Sequence, residues 1–298
     1  MKIKFAAKLF ISSLLIALLI WKFPVSDIIE NLRNVKLGWF FLAFLINEFI
    51  IFNQAYRWYY LLIVRSEQKP EFSTLLRYTV IGAFFNLISP GGIGGDAYRS
   101  VTLGRVHNFM ASSVAAVFIA RILGFIALCL MFWLALPYSE KIPEQAIWFM
   151  AAVSLFLIVF CLCIAFNPFK KGKFGVFAEK LRSYKKYPFR LLIATFDSIF
   201  IQVLVVLAHV ALFNAIGVSI SLSLLFVITP VTVLITAIPI SFNGIGVREW
   251  SFLSLTAYTV NSEQMLASLL LSYAIVILQA VQGAIFYIMP SPDKFRFR

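Results

Sequence analysis

The sequence predicts an all-α integral membrane protein, and three observations support this fold class. The 298-residue chain is 61% hydrophobic and only 13% charged, with a mean hydropathy of +0.92, whereas a soluble domain is about half apolar and about a quarter charged. Several apolar stretches reach the roughly 20 residues that a helix needs to cross a bilayer core. Basic residues are concentrated in one internal segment and at both ends of the chain, which is typical of cytoplasmic segments.

Six apolar stretches are predicted to be full transmembrane helices. The first follows the N-terminal lysines and runs to Trp21. It is interpreted as a retained helix and not as a signal peptide, because no small-residue cleavage pattern follows it. The predicted spans lie near Phe5, Leu37, Ala111, Ile147, Leu191 and Met265.

The charges of the connecting segments predict the orientation of these spans. Segment 167–190 holds eight basic residues against one acid, so we expect it in the cytoplasm. The segments 137–146 and 259–264 carry more acids than bases and are expected outside. Both basic chain ends then lie inside. The predicted location is the inner (cytoplasmic) cell membrane, with cytoplasmic N- and C-termini.

The first of two shorter apolar stretches, 75–88, is interrupted by Pro90, Gly91 and Gly92. Proline and a run of glycines end a helix. A full crossing at this point would place the basic segment outside, against its charge. We therefore expect the stretch to enter from the cytoplasm and to return through 94–105 as a re-entrant hairpin.

The second short stretch, 222–238, is interrupted near Asn243, Gly244 and Gly246 and resumes over 247–258. By the same argument it enters and leaves on the outside. The motif 92–96 (GIGGD) aligns with 244–248 (GIGVR), about half a chain apart. Similar, oppositely inserted segments predict an inverted repeat, an arrangement typical of transporters whose binding site lies at broken helices. The chain is thus predicted to be one transmembrane domain, 1–298, with a first half (1–166), a basic loop (167–190) and a second half (191–298).

Both interruptions carry charges inside the apolar regions. Asp96 and Arg99 are three residues apart, and Arg248 and Glu249 open the second short helix. Helix N-termini beside an arginine are suited to binding a phosphate. We expect the two hairpins to place these charges in a shared polar cavity for an anionic headgroup. The alternative is that these charges pair with one another, Asp96 or Glu249 with Arg121 or Arg248, and only hold the two hairpins together.

Arg57 and Arg121 are two further cations inside predicted spans. Arg57 lies near the cytoplasmic end of its helix, where snorkelling of the side chain to the membrane surface explains it equally well. The sequence has no His, Glu and Cys cluster at metal-ligand spacing, so no metal or cofactor is expected. Net charge +13 is explained by the membrane topology, so no nucleic-acid partner is expected.

These residues resemble a known family. Arg57 and Trp58, Asn86, the segment 89–99 (SPGGIGGDAYR) and the segment 243–249 (NGIGVRE) are similar to the flippase-like transmembrane family, typified by the membrane half of the bacterial multiple peptide resistance factor, a lysylphosphatidylglycerol synthase and flippase. The resemblance spans nearly the whole chain and implies a domain that moves a lipid between leaflets. Members often have an acid before the arginine at the Arg121 position, where this sequence has Ala120.

The resulting prediction is a flippase-like translocase for an anionic or aminoacylated phospholipid or a polyprenyl-phosphate-linked lipid. The alternatives are an integral-membrane enzyme acting on a lipid phosphate, or a non-catalytic partner of a separate cytoplasmic synthase. A soluble aminoacyl-transferase domain is not expected, since the sequence stops soon after the last span. A homodimer is left open. The candidate site residues are Arg57, Asn86, Pro90, Gly91, Gly92, Gly94, Gly95, Asp96, Arg99, Arg121, Asn243, Gly244, Gly246, Arg248 and Glu249.

Overall fold

The computed structural model describes residues 25–63, 70–89, 92–139, 142–166, 172–241, 243–256 and 261–290. Over these residues the chain is built from helices and contains no strand, so the predicted all-α fold is confirmed. In chain order the α-helices are α1 (Val25–Arg33), α2 (Leu37–Leu61), α3 (Phe72–Leu87), α4 (Gly94–Val106), α5 (Met110–Ala135), α6 (Glu144–Phe166), α7 (Gly172–Ser183), α8 (Pro188–Ile216), α9 (Leu222–Ala237), α10 (Val247–Thr256) and α11 (Ser262–Ile288).

Five of these helices, α2, α5, α6, α8 and α11, are long and apolar enough to cross a membrane. They correspond to five of the six predicted spans. The remaining predicted span, near Phe5, falls in residues 1–24, outside the described residues. Helix α1 was not predicted, although Val25, Ile28, Ile29 and Leu32 have the spacing of an amphipathic helix. It packs against α11.

Two pairs of short helices form hairpins at the predicted interruptions: α3 with α4, and α9 with α10. The aligned glycines of the two motifs adopt the same left-handed backbone, with φ of +61° at Gly92 and +76° at Gly244, a conformation that glycine adopts without steric cost. In the first hairpin the backbones of Gly82 and Gly95 touch, since a Cβ on Gly95 would lie 2.4 Å from the Gly82 carbonyl oxygen. Both motifs therefore form tight turns between antiparallel helices.

The hairpins start from opposite ends of the bundle. The start of α3 and the end of α4, which lie away from the turn and include Leu75 and Leu103, pack into one hydrophobic cluster with the end of α2 and the start of α5. The start of α9 and the end of α10, which include Leu224 and Leu253, pack with the end of α8 and the start of α11. These two clusters lie at opposite ends of the long helices, because α2 and α8 run antiparallel: the amide of Lys36, before α2, donates to the Ala215 carbonyl near the end of α8.

Each hairpin also packs against the long helix that follows the other hairpin. Helix α3 packs along α11, where a Cβ on Gly283 would lie 2.5 Å from the Val80 carbonyl oxygen. The Arg77 guanidinium donates to the Phe286, Met289 and Pro290 carbonyls at the end of α11. Helix α9 packs along α5 in the same way. This reciprocal arrangement is what an inverted repeat requires.

The basic segment 167–190 differs from the predicted loop. Residues 167–171 lie outside the described part, but the rest contains α7 and a short 3₁₀ helix, Tyr184–Lys186, before α8 begins. The Tyr184 hydroxyl donates to the Leu61 carbonyl at 2.6 Å and ties this segment to the end of α2. Desolvation by burial raises the pKa of Tyr184, so the hydroxyl stays a donor. The segment is a packed helical cap over one end of the bundle.

Candidate functional site

The turn of the first hairpin satisfies its own backbone amides. The Asn86 side-chain oxygen accepts from the Gly95 amide at 2.7 Å, and the Ser89 hydroxyl oxygen accepts from the Gly94 amide at 2.7 Å. These amides were predicted to be free for a phosphate. They are instead capped from the end of α3, because the glycines bring the two helices into contact. Pro90 and Gly91, the other candidates here, lie outside the described residues.

Three guanidinium groups gather beside this turn, and we call Arg57, Arg99 and Arg121 with Asp96 the arginine cluster. One Asp96 oxygen lies 2.7 Å from the Arg99 side chain, one turn along α4, as the three-residue spacing predicted. The other Asp96 oxygen lies 3.2 Å from Nε of Arg121 on α5. Arg121 is therefore paired with an acid on another helix, α4. The preceding residue, Ala120, provides no acid.

Arg57 lies inside the protein and does not snorkel to the membrane surface. The residue is buried, and its guanidinium donates to the Ser198 hydroxyl on α8 at 2.8 Å. The Arg99 guanidinium lies over the Trp58 ring, 5.4 Å from its centre, a cation–π arrangement that stabilises a desolvated cation. Helices α2, α4, α5 and α8 therefore all contribute to the cluster.

The arginine cluster carries more positive than negative charge. Asp197 on α8 interacts electrostatically with Arg57. Among the described residues, three guanidiniums therefore face two carboxylates, a surplus of one positive charge. The Nε atoms of Arg57 and Arg99 are buried and have no hydrogen-bond partner in the described part of the chain. Buried donors without partners cost free energy. The cluster is therefore suited to accepting one further anion.

The cluster lies at membrane depth and is open on one side. Arg99 is seven residues from the end of α4 and Arg121 is eleven residues from the start of α5. A helix rises 1.5 Å per residue, so these residues lie roughly 10 and 16 Å below that end of the bundle. The Asp96 and Arg121 side chains are 24% and 34% exposed, whereas that of Arg99 is 8% exposed. The more exposed side of the cluster is therefore the side of Asp96 and Arg121.

The charges of the second hairpin lie elsewhere, so the predicted shared cavity is wrong. Arg248 faces a separate cavity with Ser272, and none of the described residues around that cavity comes from the first hairpin. Glu249 is buried and accepts from the Gly246 amide at 2.7 Å. Of the alternative pairings, that of Asp96 with Arg121 is present, whereas neither Arg248 nor Glu249 forms an ion pair in the described residues.

The physical reason for this separation is that the tips of the two hairpins lie close together. A Cβ on Gly92 would lie 3.4 Å from the side-chain oxygen of Asn243. Asn243 has a φ of +46°, which is uncommon outside glycine. From this contact α4 and α10 run toward opposite ends of the bundle. Their charged first turns therefore lie apart, one in each half of the bundle.

The described residues contain no group of three or more His, Cys, Asp or Glu side chains that could hold a metal ion. Three contributors to the arginine cluster were not among the candidate site residues. These are Trp58, Asp197 and Ser198. The adjacent Asp197 and Ser198 are polar residues within an otherwise apolar span, and this pattern in the sequence could have indicated that they belong to the site.

Comparison with known families agrees with this architecture. A family model described as the lysylphosphatidylglycerol synthase TM region matches residues 5–283. The chain belongs to this family. The family match covers both hairpins and all five long helices except the last residues of α11, so the arginine cluster and the second cavity both lie within the family domain. No curated protein and no solved structure matches the chain.

Proposed function

We propose that this protein is a flippase-like translocase that binds the phosphate of a membrane lipid in the arginine cluster and moves that lipid between leaflets. The observation that carries the proposal is the convergence of Arg57, Arg99 and Arg121 at membrane depth, with too few acids among the described residues to neutralise them. Ionisable groups inside a membrane domain mark substrate paths by default. Membership in a family of lipid-related membrane domains supports the choice of a lipid.

The charge of a phospholipid phosphate matches the cluster. A phosphodiester carries one negative charge, and the cluster has a surplus of one positive charge when Asp96 and Asp197 are ionised. Guanidinium groups bind phosphate oxygens through charge-assisted, often bidentate hydrogen bonds. The unpartnered Nε donors of Arg57 and Arg99 would then be satisfied. The shared chemistry is the phosphate, whether the lipid is an anionic or aminoacylated phospholipid or a polyprenyl-linked lipid.

The orientation in the membrane follows from the basic segment. The arginine cluster is nearest the end of the bundle that carries α7, Tyr184–Lys186 and the start of α8. This end has the excess of lysine and arginine, so we place it in the cytoplasm. The first hairpin is then re-entrant from the cytoplasm and the second from the outside. The cluster receives lipid from the inner leaflet, and the meeting tips separate it from the outer half.

A transporter explains the site better than an enzyme does. Asp96 contacts two arginines. Asp197 interacts with Arg57, and its oxygen that has no partner among the described residues is buried. A general base or nucleophile needs a free lone pair directed at the substrate. The rival assignment, an enzyme acting on a lipid phosphate, would form product with detergent-solubilised protein, where no leaflets exist.

The proposal is tested by lipid translocation in proteoliposomes with a headgroup-labelled anionic phospholipid. Arg57→Gln is the sharpest variant, because it removes a cluster charge and leaves both contacts of Asp96, with Arg99 and with Arg121, in place. A hydrogen bond to a charged group is worth about 1.5–3 kcal/mol, so a loss of about 10- to 100-fold in rate is expected at subsaturating lipid. Arg99→Gln should give at least the same loss.

The matched control is Arg105→Gln, which removes an exposed arginine from the last turn of α4. It should translocate lipid at the wild-type rate. Equal rates for Arg57→Gln, Arg99→Gln and the control, in variants with unchanged size-exclusion profiles, would refute the assignment of the arginine cluster as the phosphate site.

A further inference from the structure

A second polar cavity lies beyond the hairpin tips, in the half of the bundle opposite the arginine cluster. It has a volume of about 180 Å³ and is enclosed by α2, α8, α9, α10 and α11. His209 lies seven residues before the end of α8, and Ser272 lies ten residues after the start of α11. At 1.5 Å per residue these positions are roughly 10 and 15 Å below that end. The polar residues around it include Asn47, His209, Thr229, Thr232, Arg248 and Ser272.

Arg248 brings a positive charge into this cavity without a compensating acid. Its guanidinium lies 3.5 Å from the Ser272 hydroxyl oxygen and 5.1 Å from the centre of the Tyr273 ring. No described carboxylate lies within ion-pair distance of it. The adjacent Glu249 is buried and bonded to the Gly246 amide. A cation held away from bulk water requires a partner of opposite charge.

The hydrogen-bonding groups around the cavity favour an anion over a cation. The Thr229 and Thr232 residues are buried, and their hydroxyls have no partner among the described residues. The Ser272 hydroxyl donates to the Leu269 carbonyl and can only accept from Arg248. Hydroxyl and guanidinium donors are thus left over, and a metal cation or ammonium group would be repelled by Arg248.

The cavity is small. Cavities that hold drug-sized ligands measure about 300–1,000 Å³. The remaining wall is aliphatic and includes Val205, Leu212 and Val276. An ion between the sizes of chloride and phosphate fits with a few waters, whereas a complete lipid headgroup with its glycerol does not.

We propose that this cavity is a binding site for one small inorganic anion, with Arg248 as its charged ligand and the Thr229 and Thr232 hydroxyls as further donors. The site is distinct from the arginine cluster and does not depend on its role. Bound anion neutralises Arg248 and joins α9, α10 and α11 around the second hairpin. Its occupancy therefore stabilises the folded protein in proportion to anion concentration.

The experiment uses the purified full-length protein in a neutral detergent. Thermal unfolding is followed while chloride, nitrate or inorganic phosphate replaces gluconate at constant ionic strength. A ligand that binds only the folded state stabilises it by RT ln(1 + [L]/Kd), so a saturable rise in melting temperature is expected for at least one of these anions. Absence of any anion dependence would mean that the cavity holds only water and would overturn the proposal.

Variants separate this site from nonspecific salt effects. Arg248→Gln should abolish the saturable rise, whereas the exposed control Arg105→Gln should keep it. Since Arg248→Gln can also impair folding, Thr232→Val provides a variant of similar volume. Loss of one neutral hydrogen bond of about 0.5–1.5 kcal/mol predicts anion affinity lowered about two- to tenfold. An unchanged anion response in both Arg248→Gln and Thr232→Val would place the anion elsewhere.

A lipid phosphate is the other source of the same chemistry. The measurement is repeated in nanodiscs of neutral lipid and in nanodiscs containing an anionic phospholipid. A free-anion site responds equally in both. Loss of the inorganic-anion response in the anionic nanodiscs would assign the cavity to a headgroup and refute the proposal. Arg57→Gln, which disables the proposed lipid site, should leave the anion response intact, so the two proposals fail independently.

Discussion

Neutralising Asp96 tests whether the arginine cluster is held by the contacts described above. The change Asp96→Asn keeps the side-chain shape and removes the charge that faces Arg99 at 2.7 Å and Arg121 at 3.2 Å. An exposed ion pair is worth about 0.2–1 kcal/mol, and breaking a fully buried pair costs about 3–5 kcal/mol. The Asp96 side chain is 24% exposed and that of Arg99 only 8%, so the cost lies between these limits.

We expect Asp96→Asn to destabilise the protein by about 2–3 kcal/mol, intermediate between exposed and buried pairs. For a chain of this size that corresponds to a melting temperature lowered by roughly 4–12 °C. The assay is thermal unfolding in detergent, followed by intrinsic tryptophan fluorescence. Glu144→Gln is the matched control, because Glu144 is exposed at the start of α6, and surface changes of this kind stay within about 0.5 kcal/mol.

A double-mutant cycle then identifies the partner. Asp96→Asn combined with Arg121→Gln should cost less than the sum of the single changes by about 0.5–3 kcal/mol, the range found for residues in contact. Strict additivity, or an Asp96→Asn variant as stable as the Glu144→Gln control, would show that these charges do not hold the cluster together. Anionic lipid that copurifies should increase in Asp96→Asn, since the change adds to the positive surplus.

Three further outcomes are expected from the fold. Gly95→Ala places a Cβ 2.4 Å from the Gly82 carbonyl oxygen, and such overpacking costs about 1–3 kcal/mol, so the yield of folded protein should fall. The control Gly38→Ala, whose Cβ would have no atom within 4 Å, should leave the yield unchanged. Arg77→Gln should raise hydrogen exchange in the last turn of α11, because the cation at that helix end is worth about 0.3–1 kcal/mol; unchanged exchange there would rule out the contact. Tyr184→Phe should cost about 1 kcal/mol through the lost bond to the Leu61 carbonyl, measured as unfolding in detergent, and a neutral effect would contradict that bond.

Much of the fold followed from hydropathy and charge. The long apolar runs predicted the positions of α2, α5, α6, α8 and α11, because a helix is the one way for an uninterrupted apolar chain to satisfy its backbone in lipid. The glycine-rich motifs predicted both hairpins, and the three-residue spacing predicted the pair of Asp96 with Arg99. These are local properties, which a sequence records directly.

Contacts between distant segments could not be predicted in this way. The bond from Arg57 to Ser198 joins residues 141 positions apart, and nothing near either residue specifies the other. Gly82 and Gly283 look like ordinary helix residues until the crossing backbone is known. The shared cavity was wrong for the same reason: the sequence placed both charge pairs at helix starts but did not reveal that the tips meet between them.

The reciprocal packing connects the two sites mechanically. Helix α5 carries Arg121 of the arginine cluster and also forms the wall against which α9 of the second hairpin packs. Helix α11 carries Ser272 of the second cavity and receives α3 of the first hairpin at Gly283. Each hairpin thus rests on a helix that supplies a ligand to the other site. Because Gly92 and Asn243 also lie close together at the tips, a rigid-body shift of either hairpin changes contacts in both halves of the bundle, and the translocation proposed above needs such a coupling between two sites.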